Sequence, residues 1–164
     1  MVALRLIRLI ETHSNQIARN VATKIRQSRR TSDLQKIPES EMAAGMQELL
    51  QDLSEWLLNK ADTDIESRYR EVGASRARQG VALADSCWAV NMTKEYLWEF
   101  LQKQGFVRSP IELYGEMELL WLLDQFFDRA LCYVVEGYEQ SRHSQPSQEV
   151  RKKPREFNAA AFVP

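Results

Sequence analysis

Residues 110–138 most constrain what this chain can fold into, because they carry apolar side chains at helical spacing in two stripes rather than one. One stripe runs Leu113, Met117, Leu120, Phe127, Leu131, Val134 and Tyr138, and the second runs Leu119, Leu122, Phe126, Ala130 and Tyr133. A surface helix of a small domain needs only one apolar face, so two stripes on one helix predict burial on two sides. One side faces the core. The other faces either more core, as in a central helix, or a second copy of the chain. The pattern favours a homodimer whose interface residues are Leu119, Leu122, Phe126, Ala130 and Tyr133. Ser109 followed by Pro110 marks the start of this helix as a cap and a first-turn proline.

Four more helices are expected upstream. Residues 2–28 place Leu6, Ile10, Ile17, Val21 and Ile25 on one face, with Arg5, Arg8, Arg19 and Arg26 opposite, and the polar run RRTSDLQK ends the helix. A second begins at Pro38 and stops near Lys60, with Met42, Met46, Leu49, Leu50, Leu53, Trp56 and Leu57 as its stripe. A third, 63–79, is short and polar with Ile65, Tyr69 and Val72 inward. A glycine inside a helix costs about 1 kcal/mol relative to alanine, so Gly73 marks close approach of another backbone or a helix end, and Gly80 separates this helix from the next. The fourth, 82–104, ends at Gly105 as a left-handed cap. No alternating β-branched run and no Asn-Gly or Asp-Gly hairpin signal competes.

With 164 residues and 44% hydrophobic content, the chain is long enough for one domain with a real core. Arg5 and Arg8 interrupt the apolar N-terminus as a secretory signal would not, and no run reaches a membrane span. The expectation is a cytoplasmic protein. After His143 the composition turns to Pro, Ser and basic residues, so residues 1–143 read as the domain and 144–164 as a flexible tail. Charge is segregated: residues 1–30 carry seven Lys/Arg against Glu11, residues 31–75 ten acids against four bases, and residues 109–141 seven acids against Arg129. Such blocks suit packing between helices or between subunits, or else simply solvated faces. A formal net charge of −1 argues against nucleic-acid binding through bulk charge.

Chemistry is mostly absent. There is no phosphate-binding glycine loop and no nucleophile elbow. Cys87 and Cys132 both fall in apolar stripes and read as inert core thiols. His13 lies on the apolar side of the first helix, as a haem or metal ligand or as a boundary histidine with a hydrogen-bond partner; His143 reads as tail. Carboxylates at helical spacing, Glu112/Glu116 and Asp124/Asp128, lack the Glu-x-x-His partners of a di-metal bundle and read as solvated. Lys94 reads as a salt bridge or a snorkelling stem. No metal site and no cofactor is expected. Trp88, Met92, Tyr96 and Trp121 are candidates for a small apolar pocket, or plain core.

Residues 68–101, RYREVGASRARQGVALADSCWAVNMTKEYLWEFL, resemble the N-terminal sensor domain of stressosome RsbR/RsbRD-type proteins, which also stands ahead of some bacterial histidine kinases. The likeness rests on Tyr69, Gly73, Arg76, Gln79-Gly80, Leu83 and the aromatic-rich helix that follows. Residues 112–140 look like the closing helix of the same domains, and the likeness covers about residues 5–141. It implies an all-α, globin-like bundle of about five to six helices with a long C-terminal helix, pairing into a dimer. It implies a non-enzymatic stress-response signalling module that works without haem, with a kinase or STAS-type protein as regulatory partner. A haem-binding member needs a histidine in its later helices, and none lies between Ile17 and Arg142; the alternative, a haem- or small-ligand-binding sensor, therefore depends on His13. The family's last helix continues into an output domain, whereas this chain stops at Pro164, so a freestanding sensor or adaptor, or a piece of a longer protein, is expected. Gly73, Arg76 and Gly80 form the structural motif, with Arg76 paired to an acid such as Glu71 or Asp85.

Overall fold

In the computed structural model, which describes residues 2–104 and 109–144, the core draws on every helix, with the first two and the last joined by Met42, Leu49, Leu50, Leu53, Leu97 and Leu101 from between them. The order is α1 (Val2–Thr12), α2 (Ser14–Gln27), a 3-10 turn (Arg29–Lys36), α3 (Glu39–Gln51), a π-helical turn (Glu55–Asn59), α4 (Asp62–Arg78), α5 (Leu83–Lys103) and α6 (Pro110–Ser144). The described residues are all-α, with no strand. Gly105 and the tail from residue 145 lie outside them.

Leu6, Ile10, Ile17, Val21 and Ile25 are buried as their spacing predicts. The single helix expected over 2–28 is two, however. His13 leaves helical geometry at φ −101° and ψ 11°, and its N–H is shared between the carbonyls of Leu9 and Ile10. Thr12 Oγ1 donates to the Arg8 carbonyl at 2.7 Å, a local bond that competes with continuation of the helix. The stretch RRTSDLQK is itself a 3-10 turn that buries Leu34. Asp33 in this turn accepts the Ala82 N–H at 2.9 Å, and Asp85 accepts the Asp33 N–H at 2.9 Å, so turn and α5 start cap each other. The helix expected from Pro38 to Lys60 also breaks, at Asp52, and resumes as a π turn closed by the Lys60 N–H on the Glu55 carbonyl at 2.8 Å.

α4 and α6 cross at two glycines. A Cβ on Gly73 would collide with the Val134 carbonyl, and one on Gly137 with the Arg70 carbonyl, so each helix leaves room for the other's backbone. The end of α4 is a Schellman turn: Gly80, at φ +70°, donates to Ala77 and Val81 donates to Arg76. Tyr138 Oη donates to the Val81 carbonyl at 2.7 Å and fixes this turn to α6. The Ser109 cap of α6 is present, its hydroxyl accepting the Glu112 N–H at 3.3 Å.

Candidate functional site

α6 shows how the sequence's stripes are used. Leu119, Phe126 and Ala130 lie inside the chain at 0%, 4% and 1% exposure, and Leu122 and Tyr133 are half-buried. Tyr133 is held in place by its hydroxyl, which donates to Asp62 at 2.7 Å. The stripe expected to face a second subunit is therefore largely core, because the glycine crossing with α4 turns this face inward. The apolar residues left outside are on the N-terminal half: Ile111, Leu113, Tyr114, Met117 and Trp121, from 47% to 75% exposed. Of these, Leu113 and Met117 belong to the other stripe, and Ile111 and Tyr114 to neither.

The four expected pocket residues do not converge. Trp88 is exposed, with the Arg30 guanidinium 4.1 Å above its ring. Tyr96 accepts a hydrogen bond from Asn20 at 2.9 Å, Met92 packs half-buried on the core, and Trp121 is 59% exposed. A pocket of about 150 Å³ exists elsewhere, and none of the four lines it. Its walls come from α2, the 3-10 turn, α3, the π turn, α4, α5 and α6: Ile25, Leu34, Met42, Met46, Leu49, Trp56, Tyr69, Val72, Val90, Phe127, Ala130 and Val134 among others. The π turn presents Trp56 to this space, against the edge of the Tyr69 ring at 6.1 Å between centroids. Phe126 braces both rings from behind. Burial pushes the Tyr69 hydroxyl well above its usual range, and the Glu48 charge adds to that while Arg68 opposes it.

The pocket's charged residues are already paired. Arg68 binds Glu48 at 2.8 Å. Arg76 stands 3.6 Å from Glu41 and donates to Gln79 Oε1 at 2.8 Å. Glu41, rather than Glu71 or Asp85, is thus its acid; Glu71 is held by Arg78 at 2.6 Å, and Asp85 accepts the Asp33 N–H. Lys94 bridges Asp124 and Asp128 at 3.3 and 3.2 Å, so that pair is an anchor rather than merely solvated.

Neither cysteine is a core thiol as expected: Cys132 is exposed and Cys87 half-buried. A helix buries one arc at a time, and these positions fall beside that arc. His13 does local work at the α1–α2 junction. Its Nδ1 donates to the Leu9 carbonyl at 2.9 Å, its ring packs on Phe100, and it does not line the pocket. No group of three or more His, Cys, Asp or Glu side chains suited to a metal ion occurs among the described residues.

A family model described as the RsbT co-antagonist protein rsbRD N-terminal domain matches residues 15–151. The chain belongs to this family. No curated protein and no solved structure matches it. As an RsbRD N-terminal domain it is a stressosome-type signalling domain, which is a role carried by protein assemblies. The match takes in α2 to α6, and with them the whole pocket and the exposed half of α6. Gly73, Arg76 and Gly80 each have a structural meaning here: a crossing, a rim ion pair and a helix stop. No helix among the described residues is long and apolar enough to cross a membrane.

Proposed function

We propose that this RsbRD domain is a non-enzymatic, globin-like signal-input module of the cytoplasm, formed by residues 1–143. It homodimerises through the N-terminal half of α6 and docks a regulatory protein such as a kinase or a STAS-type protein, with 144–164 as a flexible tail. One observation carries the reading: Ile111, Leu113, Tyr114, Met117 and Trp121 are exposed together over three turns of one helix. A contiguous apolar patch of this kind on a soluble domain marks an interaction surface. A second copy suits it because the same end of the molecule carries both signs of charge. Val2 of α1 packs at Gly115 of α6, which brings exposed Arg8 and Glu118 onto neighbouring helices. A two-fold pairing sets each patch against its own copy and each basic helix near the partner's acids. Of the residues first expected at the interface, half-buried Leu122 adjoins Trp121 and stands at its edge.

The test is solution mass. Light scattering behind a sizing column is expected to give a dimer for the wild type and a monomer for the Tyr114→Glu/Trp121→Glu double variant, with an unchanged helical spectrum. A wild type that is monomeric at tens of micromolar, or a double variant that stays dimeric, refutes the interface.

A further inference from the structure

The pocket's composition specifies an occupant. Its floor is apolar, made by Ile25, Leu34, Leu49, Phe127, Ala130 and Val134. The hydroxyls of Ser86 and Thr93 donate to carbonyls of their own helix, Ala82 at 3.4 Å and Ala89 at 2.8 Å, which leaves neither donor free for the pocket. Both rim arginines already hold a glutamate, Arg68 on Glu48 and Arg76 on Glu41, so an entering carboxylate would have to displace one. The Tyr69 hydroxyl differs from these groups, since it makes no hydrogen bond to any described residue. A space of about 150 Å³ with mostly apolar walls accepts one benzene-sized ring.

Gly45 supplies the second, independent observation. It lines the pocket from the interior of α3. Its φ is not positive, and a Cβ there would meet nothing within 4 Å. Gly73, Gly115 and Gly137 each make room for another part of the chain, and Gly80 sits at positive φ. Gly45 alone among the described glycines serves neither packing nor backbone angle. A side chain there would project into open space beside the pocket.

We propose that this pocket binds a small uncharged molecule, about one aromatic ring in size, that enters past Gly45 and places a hydrogen-bonding group at the Tyr69 hydroxyl. Phe127, Ala130 and Val134 belong to α6, so the occupant touches the helix whose other half carries the exposed patch. The binding claim does not depend on dimerisation and is tested separately from it.

Five methionines make methyl NMR the readout, since Met42 and Met46 line the pocket whereas Met92 and Met117 do not. Phenol titrated into the full chain is expected to move the Met42 and Met46 methyl signals saturably, with a Kd below about 1 mM. Met92 and Met117 stay in place. Benzene binds about fivefold more weakly, as one hydrogen bond requires, and Tyr69→Phe removes that difference. Benzoate binds at least tenfold more weakly than phenol, and Gly45→Leu weakens phenol at least tenfold. Absence of saturable movement in the wild type, or Met117 moving in step with Met42, overturns the site. Benzoate binding tighter than phenol overturns the uncharged ligand, and undiminished phenol binding by folded Gly45→Leu overturns the entrance.

Discussion

The two halves of α6 are built to opposite ends. From Phe126 to Tyr138 the helix lies against α4 with a glycine on each side of the crossing, and its apolar side chains point inward. From Ile111 to Trp121 it keeps only Gly115 and Leu119 buried and turns five large apolar groups to water. Apolar content does not separate the halves, since each carries both aliphatic and aromatic side chains. What separates them is whether a neighbouring backbone can come close. The close packing of α6 on α4 therefore resides in the second half, and its exposed apolar surface in the first.

The comparison breaks most severely at the crossing. Gly137→Val drives two methyl groups into the Arg70 backbone, where neither helix can yield without losing the packing around Val134 and Tyr138. Overpacking typically costs about 1–3 kcal/mol, and a clash with backbone on both helices stands at the upper end of that range. The expected outcome is a urea midpoint shifted far to lower denaturant, or no cooperative transition at all. A midpoint within error of wild type places the crossing elsewhere.

The next effect is smaller and confined to one bond. Tyr138→Phe keeps the ring and leaves the buried Val81 carbonyl without the hydroxyl that donates to it. Loss of a buried partner costs about 1–2 kcal/mol. Amide exchange is expected to speed up around residues 79–82, at the Schellman turn, ahead of the rest of α6. Uniform acceleration throughout would mean that the turn is not tied to the helix as described.

Gly45 sharpens the comparison in the other direction. Here a glycine is not required by any neighbour, so Gly45→Ala removes backbone entropy from the unfolded chain without a clash. The expected gain is about 1 kcal/mol, read as a higher melting temperature. A loss would show that α3 is not helical at this position or that another backbone approaches it.

These contrasts also explain what could be read from sequence. The stop at Gly80 and the cap at Ser109-Pro110 follow from local steric rules, and the structure has both; for Gly73 those rules left a close approach or a helix end open, and the structure has the close approach. The inward face of α6 does not follow from such rules. A seven-residue repeat drifts about 20° per heptad around a straight helix, so the stripe from Leu113 to Tyr138 turns by about 70° along its length. That stripe begins exposed and ends buried, as the drift and the approach of α4 at its far end together allow. On a helix apolar around much of its girth, periodicity cannot choose between arcs, and the choice is made by α4. The breaks at His13 and Asp52 were equally hidden, since both interrupt stripes that stay in phase across them. The pocket was out of reach because its walls are drawn from Ile25 to Val134, and their meeting is a tertiary fact. Only Gly45 left a trace in the sequence, as a glycine inside an otherwise good helical stripe.

The smallest effect belongs to the junction between the halves, where Lys94 of α5 grips Asp124 and Asp128. Burial of the ammonium opposes its charge, but the hydrogen bonds and charges of Asp128 and Asp124 outweigh this and hold its pKa above the usual lysine value. A raised pKa in the folded state means the folded chain binds this proton more tightly than the unfolded chain does. The contribution is fully present below the ordinary lysine pKa of 10.5 and is lost as pH rises through the higher folded value. Lys94→Gln removes that dependence. Denaturation midpoints of wild type and Lys94→Gln are therefore expected to differ by a constant from neutral pH to about pH 10 and to converge above it. A gap that stays constant above about pH 10 would show that Lys94 acts through its stem rather than its charge, and that α6 is held at its midpoint by packing alone.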